Sequence, residues 1–206
     1  MRLVKPPYLL RKMLPRLIWR FSVKEKIIFL TFDDGPIPEL TPWVLDTLKI
    51  YQAKATFFCV GENVLKHPEI FKRLSDEGHA TGNHTFNHLN GWQSENNAYF
   101  DNIKKCGEFI KSNIFRPPYG KIKRSQLYSS FLNENFKVVL WDVLSYDFDK
   151  NVSPEKCLSN VLKNVKPGSI VVFHDNLKAE KNIKYALPKV LETLSGMGFR
   201  FEAINL

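Results

Sequence analysis

The sequence is poor in cysteine and lacks the motifs of several large protein classes. Only three cysteines occur among 206 residues, Cys59, Cys106 and Cys157, and their spacing matches neither a disulfide framework nor a zinc knuckle. We expect buried free thiols, which favour a reducing compartment. No Gly-x-Gly-x-x-Gly or phosphate-binding loop is present, so no motif supports nucleotide binding.

Repeats, low-complexity runs and linkers are also missing, so the chain is interpreted as a single domain. Its apolar content of 44% indicates a folded protein, and its length allows a substantial core. The formal net charge of +9 would suit polyanions, anionic membranes or acidic glycans, or is simply a solvated basic surface. Because no stripe of aromatic and basic residues occurs, we expect no nucleic-acid partner.

Residues 1–21 lack an uninterrupted apolar stretch, which argues against both a signal peptide and a membrane span. Their apolar positions 9, 10, 13, 14, 17 and 18 would share one helical face despite Pro15. We expect this basic amphipathic segment to dock on the domain formed by residues 22–206, with peripheral contact to an anionic membrane as the alternative. The expected location is cytoplasmic, or peripheral at the inner face of the membrane.

Strand and helix patterns alternate along the chain from Ile27 onward. Residues 27–32 form a near-continuous apolar run, typical of a parallel strand covered on both faces. Six more strands are predicted at 55–60, 79–83, 114–115, 136–141, 169–173 and 199–204, mostly with helical patterns between them. About seven parallel strands with crossover helices predict an α/β fold, a distorted and incomplete (β/α) barrel. An open doubly wound sheet is the alternative.

The unusual polar residues follow the C-terminal ends of the predicted strands. In a parallel barrel these ends open on one face, where such folds place their chemistry. We therefore expect a common mouth formed by Asp33, Asp34, His84, His88, Arg116, Asp142, Asp147 and His174.

His84 and His88 are spaced one helical turn apart, so their imidazoles could bind one ion from the same side. An acid from the Asp33–Asp34 pair would complete a set of two histidines and one carboxylate, the ligand set of a catalytic zinc site. His174 remains free for proton transfer near neutral pH. Plainer interpretations exist, because Asp-Gly is ordinary turn chemistry and a histidine after a strand often only caps it.

Four motifs together resemble those of the polysaccharide deacetylase family, also called the NodB-homology domain, a group of metal-dependent carbohydrate esterases. The resemblance runs from about residue 27 to the C-terminus. The motifs are Thr31-Phe32-Asp33-Asp34-Gly35-Pro36, His84-Thr85-x-x-His88, Arg116-Pro117-Pro118-Tyr119 and Val172-Phe173-His174-Asp175.

The resemblance implies a metal site and a base. Asp33 would be the general base, and Asp34 would bind the metal together with His84 and His88. Zinc is the first expectation, although cobalt or nickel would suit the same donors. Arg116 would hold Asp33 ionised and oriented.

The resemblance also implies an acid and an oxyanion site. His174 would protonate the leaving amine, with Asp147 tuning it, and the backbone N–H of Tyr119 would stabilise the oxyanion. Pro117 precedes this residue in the same motif and is assigned to the substrate side.

Two residues depart from the family pattern. Phe148 stands where the family usually has Trp after Asp147, which removes an indole N–H and shrinks the sugar-facing wall. Val172 stands where Leu is usual, which leaves more room beside the acetyl group. Both departures concern substrate identity rather than the chemistry.

The implied activity is removal of N-acetyl groups from N-acetylated sugars or polysaccharides by a monomeric enzyme. An acetamide requires a polarised carbonyl, an activated water and a proton for its nitrogen, which the metal, base and acid would supply. O-deacetylation of acetylated glycans is the alternative among hydrolases. A glycan-binding module without turnover is the alternative from another class.

Overall fold

The structure, a computed structural model, describes residues 3–206, so the first two positions of the predicted N-terminal segment lie outside the described residues. Its core is one sheet with the strand order β5-β4-β3-β2-β1-β7-β6, and β8 pairs with the start of β1. The strands are β1 Ile27–Asp33, β2 Ala55–Cys59, β3 Ala80–Asn83, β4 Ile114–Phe115, β5 Lys137–Val138, β6 Val143–Leu144, β7 Ile170–His174 and β8 Arg200–Phe201.

Helices cover the sheet and connect its parallel strands, so the predicted incomplete (β/α) barrel is confirmed and the open doubly wound sheet is not formed. They are α1 Tyr8–Met13, α2 Thr41–Ile50, α3 Gly61–Lys66, α4 Pro68–Asp76, α5 Asn96–Phe109, α6 Arg124–Leu127, α7 Ser130–Asn135, α8 Pro154–Leu162 and α9 Glu180–Gly196, with 3₁₀ turns at Gly91–Gln93 and Pro118–Gly120. Among residues 3–206, no helix has both the length and the apolar character needed to cross a membrane.

Strand β1 lies at the centre of the sheet, and all seven of its residues are buried. It pairs with β2 on one side and with β7 on the other. This position explains its apolar run, because a strand with covered faces on both sides has no solvent-facing positions for polar residues. The C-terminal end of β1 is therefore surrounded by the ends of neighbouring parallel strands.

The strand predicted for residues 136–141 is wrong in extent. Regular pairing there is limited to β5, and Val139 adds a single parallel bridge to Ile18. The carbonyls of Val139 and Leu140 accept hydrogen bonds from the Arg116 side chain. The chain then bends into β6, which the sequence pattern did not predict. Within residues 3–206 the main path of the sheet holds seven strands, as predicted, and β8 pairs beside it with β1.

The N-terminal segment divides into two parts with different environments. Leu17 and Trp19 are buried, and Ile18 forms a parallel bridge to Val139. Helix α1 has no buried residue. Because α1 ends at Met13, the single helical face expected for positions 9 to 18 is not formed.

Asp142 belongs to this N-terminal region and not to the predicted mouth. Its backbone N–H donates to the carbonyl of Ile170, at the start of β7, which is the opposite end from His174. Its fully buried carboxylate pairs with Arg11 at 2.8 Å and with Lys5 at 3.3 Å. Asp142 therefore anchors the N-terminal segment.

Candidate active site

The two adjacent acids at the end of β1 have different partners. Asp33 is buried, and its Oδ1 accepts a hydrogen bond from Nη1 of Arg116 at 2.6 Å. Asp34 follows with φ = 86°, a left-handed conformation that a non-glycine residue adopts only at a cost. This turn directs its Oδ1 toward Nε2 of His88, at 3.0 Å. The two neighbouring carboxylates therefore have different partners, Arg116 for Asp33 and His88 for Asp34.

Arg116 is a fully buried cation whose guanidinium donors have partners on three sides. Besides Asp33, it donates to the Thr31 hydroxyl at 2.8 Å and to the carbonyls of Val139 and Leu140 at 3.2 and 2.8 Å. Burial lowers the pKa of Arg116, and the charge of Asp33 opposes that shift. A buried charge requires such hydrogen-bond partners to be tolerated. The Asp33 carboxylate is consequently held in one orientation.

His84 and His88 reach Asp34 from a loop and not from a helix. Thr85 and His88 have φ values of 65° and 59°, so the expected helical-turn geometry is wrong. The loop is held instead by Asn83, whose side chain accepts from Thr85 N–H at 2.9 Å. The two rings still converge, with centroids 5.1 Å apart.

The hydrogen bonds of these rings determine which nitrogen faces Asp34. Nδ1 of His84 lies 2.7 Å from the carbonyl oxygen of Arg116. A carbonyl only accepts, so in the neutral ring Nδ1 carries the hydrogen and Nε2 presents a lone pair. Nδ1 of His88 lies 3.1 Å from the Tyr119 hydroxyl, which allows the same tautomer. Both Nε2 atoms then face the Asp34 carboxylate as acceptors.

This arrangement fits a divalent cation. Ligand atoms of Asp34, His84 and His88 all lie within 4.8 Å of one another. Oδ1 of Asp34 is buried without a hydrogen-bond donor, while Oδ2 accepts from the Asn176 amide. One carboxylate and two imidazoles are donors that zinc, cobalt or nickel accept.

His174 ends β7 and is held by Asp147. Nδ1 of His174 donates to Oδ1 of Asp147 at 2.8 Å, and its backbone N–H donates to Oδ2 at 2.7 Å. Burial disfavours the imidazolium, but the carboxylate of Asp147 outweighs it and raises the pKa of His174 to about 9. The Phe148 ring packs nearly perpendicular to this imidazole, with centroids 4.8 Å apart. Because Nδ1 is engaged, Nε2 is the nitrogen left for proton transfer.

The residues assigned to the substrate side lie at different depths. Tyr119 has φ = 61° and is 60% exposed, and among the described residues no acceptor is bonded to its backbone N–H. Pro117 precedes it in extended conformation and is buried. Val172 is fully buried in register with Thr31, two residues before His174 on β7. Only Tyr119 therefore offers a largely open side chain.

Three polar residues contact the site although the sequence assigned them no role. Thr31 supplies a hydroxyl to Arg116, and Asn176 supplies an amide to Asp34. Asp175 accepts from Gly35 N–H at 3.0 Å and from the Thr41 hydroxyl at 2.6 Å, and burial raises its pKa to about 7. Thr31 and Asp175 lie inside the quoted motifs, whereas no spacing rule indicates Asn176.

The chain is similar to known proteins over most of its length. The family model for polysaccharide deacetylase matches residues 21–130. A peptidoglycan-N-acetylglucosamine deacetylase of Bacillus cereus is 37% identical over 193 residues, 91% of this chain and 90% of that protein. A chitooligosaccharide deacetylase of Azorhizobium caulinodans is 31% identical, covering 90% of this chain and 96% of that protein.

A solved structure gives the same result at the level of the fold. The crystal structure of the Bc1960 peptidoglycan N-acetylglucosamine deacetylase superposes with a TM-score of 0.87 at 35% identity, covering 97% of this chain and 95% of the other. With its family motifs gathered at one end of the parallel sheet, the chain belongs to the polysaccharide deacetylase family.

Proposed function

We propose that this protein is a metal-dependent hydrolase that removes N-acetyl groups from N-acetylated sugars or polysaccharides. The observation that carries the proposal is the register of β1 and β7, in which Asp33 and His174 are direct partners on adjacent strands. The Asp34–His84–His88 cluster begins at the next residue. A candidate base and a candidate acid thus stand beside a candidate cation site. The deacetylases named above as relatives support this assignment.

Asp34, His84 and His88 would hold the cation, for which zinc is our first choice. When bound, it would polarise the acetyl carbonyl and lower the pKa of a water molecule toward neutrality. The roles of the remaining residues follow from their hydrogen bonds.

Asp33 would take the proton from the attacking water. Its Oδ1 is engaged by Arg116, which fixes the carboxylate plane and leaves Oδ2 for the proton. The backbone N–H of Tyr119 would donate to the acetyl oxygen, which becomes an oxyanion when water attacks the acetyl carbon. Loss of one such donor typically costs about 10²-fold or more in rate.

His174 would deliver a proton from Nε2 to the leaving nitrogen. With its pKa raised to about 9 it is protonated at neutral pH, as a general acid must be. Asp147 holds the ring through Nδ1, and Phe148 covers it from the side. Separate acid and base groups are what hydrolysis of an amide, with its poor leaving group, requires.

Activity on N-acetylglucosamine oligomers, measured as release of free amine with and without chelator, tests this function. We expect the chelator to abolish turnover and zinc to restore it. Asp33→Asn should lower kcat by about 10² to 10⁴, whereas Asp101→Asn, at an exposed acid on α5, should be neutral. An unchanged rate in chelator would rule out the metal mechanism.

Matched substrates carrying either N-acetyl or O-acetyl groups separate the two hydrolase alternatives. Preferential loss of O-acetyl would make the protein an esterase instead. Binding of the oligomers without release of amine or acetate, at full metal occupancy, would indicate a glycan-binding module.

We also propose that α1 contacts an anionic membrane and places the protein peripherally at the inner face. Leu9 and Met13 are 71% and 74% exposed one turn apart, and Lys12 lies between them in sequence. Exposed apolar and basic side chains together suit an anionic lipid surface. Sedimentation with phosphatidylglycerol vesicles should be lost in a Leu9→Asp/Met13→Asp variant and kept in Ile50→Asp, at an equally exposed position on α2. Equal sedimentation of all three proteins would refute the contact.

A further inference from the structure

Two exposed aromatic side chains and one lysine form an open surface beside the Asp34–His84–His88 cluster. Trp92 is 59% exposed and Tyr119 is 60% exposed. The ammonium of Lys121 lies 5.4 Å from the centroid of the Trp92 ring and 5.8 Å from that of Tyr119. We call this surface the Trp92–Lys121–Tyr119 platform.

The platform begins directly at the candidate cation site. The Tyr119 ring packs edge-on against the imidazole of His88, with centroids 4.6 Å apart and an interplanar angle of 68°. Its hydroxyl is also 3.1 Å from Nδ1 of His88. A sugar ring on the platform would therefore neighbour a sugar whose acetamido group lies at the cluster.

The exposure of Trp92 is enforced by the surrounding loops. Its indole Nε1 donates to the carbonyl of Ile122 at 3.0 Å, and its backbone N–H donates to the Asn90 side chain at 3.0 Å. The buried Gln126 amide donates to the carbonyl of Gly91, also at 3.0 Å. These bonds join the loop after β3 to the loop after β4. The indole is thus held in place before any ligand binds, which reduces the entropic cost of binding.

Lys121 brings an uncompensated positive charge to this surface. No carboxylate of residues 3–206 lies within 4.0 Å of its ammonium, although this side chain is half-buried between the two aromatic rings. A cation placed between aromatic faces can bind an anionic group while the rings cover the apolar faces of a ligand. The whole chain carries a formal charge of +9, which adds attraction for acidic glycans.

We propose that the Trp92–Lys121–Tyr119 platform is a substrate subsite for a carboxylate-bearing sugar next to the sugar that is deacetylated. The C–H faces of that sugar would lie on Trp92 and Tyr119, and its carboxylate would pair with Lys121. The proposal rests on the proposed function and names its preferred substrate class, an acidic N-acetylated glycan of at least two sugars. It adds Trp92 and Lys121 to the residues that determine specificity.

The test compares two oligosaccharides of equal length, a neutral N-acetylglucosamine oligomer and one in which alternate sugars carry a free carboxylate. KM and kcat are measured for the wild type, Lys121→Gln and Trp92→Ala. The matched control is Lys189→Gln, because Lys189 also lies over a tyrosine ring, Tyr185 at 4.5 Å, but on the remote helix α9.

Lys121→Gln should raise KM about fivefold for the acidic oligomer only, the size expected for a partly exposed ion pair. Trp92→Ala should raise KM about tenfold for both oligomers. kcat should stay unchanged in both variants, and Lys189→Gln should match the wild type. If the ratio of the two KM values, for the acidic and the neutral oligomer, is the same in the wild type and in Lys121→Gln, the proposed subsite is wrong.

Calorimetric titration of the same oligomers into Asp33→Asn and into Asp33→Asn/Lys121→Gln separates this proposal from the proposed function. Tighter binding of the acidic oligomer that disappears with Lys121→Gln supports the subsite even if the wild type hydrolyses neither oligomer, a result that would refute only the activity. Indifference of binding to Lys121→Gln refutes the subsite even if both oligomers are deacetylated.

Discussion

The carboxylate of Asp147 should set the pH range over which His174 acts as an acid. Burial lowers the pKa of His174, Asp147 raises it through charge and hydrogen bond, and the balance is about 9. Asp34 and Asp33 contribute less to the rise, and a cation held at the cluster would offset them. In Asp147→Asn burial dominates, so the pKa of His174 should fall to its ordinary value of about 6.5 or lower.

The size of this effect follows from the difference between the two pKa values. A fall from about 9 to about 6.5 corresponds to roughly 3 kcal/mol in the free energy of protonation. At a pH of about 7.5 the protonated fraction of His174 would fall from nearly all to about one tenth. We therefore expect kcat/KM to fall about tenfold at that pH, and its alkaline limb to move about 2.5 units lower.

The assay is the pH dependence of kcat/KM at equal metal content for the wild type, Asp147→Asn and Asp142→Asn. Asp142 is an equally buried, ion-paired acid at the opposite end of the sheet, so its variant should keep the alkaline limb of the wild type. If the limb stays in place in Asp147→Asn, His174 is not the group that titrates, and the acid must be another residue.

Three further predictions concern metal binding and stability. His84→Gln should lower zinc affinity at least about tenfold in equilibrium dialysis, whereas Asp33→Asn should retain zinc. Equal loss of zinc in both variants would show that the assignment of the metal ligands is wrong. Gly35→Ala should destabilise by about 1–3 kcal/mol or more in urea unfolding, because its Cβ would lie 1.9 Å from Asp175 Oδ2; Gly107→Ala, with open space in α5, should be neutral or stabilising. His79, mostly buried and accepting from Ala55 N–H, has its pKa lowered by burial to about 4. His79 in the unfolded chain binds a proton at a higher pH than in the folded protein. The free energy of unfolding should therefore fall as pH falls from about 6.5 toward 4, by about 2 kcal/mol between pH 7 and 5. His79→Gln should remove this contribution to the pH dependence.

The strand and helix pattern, and the placement of polar residues after strands, could be predicted because both are local properties. The apolar run of residues 27–32 predicted the fully buried strand β1, and the motif residues lie at the ends of four strands. Prediction failed where distant parts of the chain meet. The carbonyls of Val139 and Leu140 accept from the Arg116 side chain, Val139 pairs with Ile18, and Asp142 lies at the other end of the sheet.

The sequence by itself determined the family, the parallel barrel and the kinds of groups available for chemistry, because these depend on residue type and spacing. Only the tertiary structure decided what each group contacts. The Arg116 carbonyl fixes the His84 tautomer, and β1 and β7 bring Asp33 beside His174. Asn176 donates to one oxygen of Asp34, while the other is buried without a donor. These relations join residues far apart in the chain, and they form only when the strands are aligned in register.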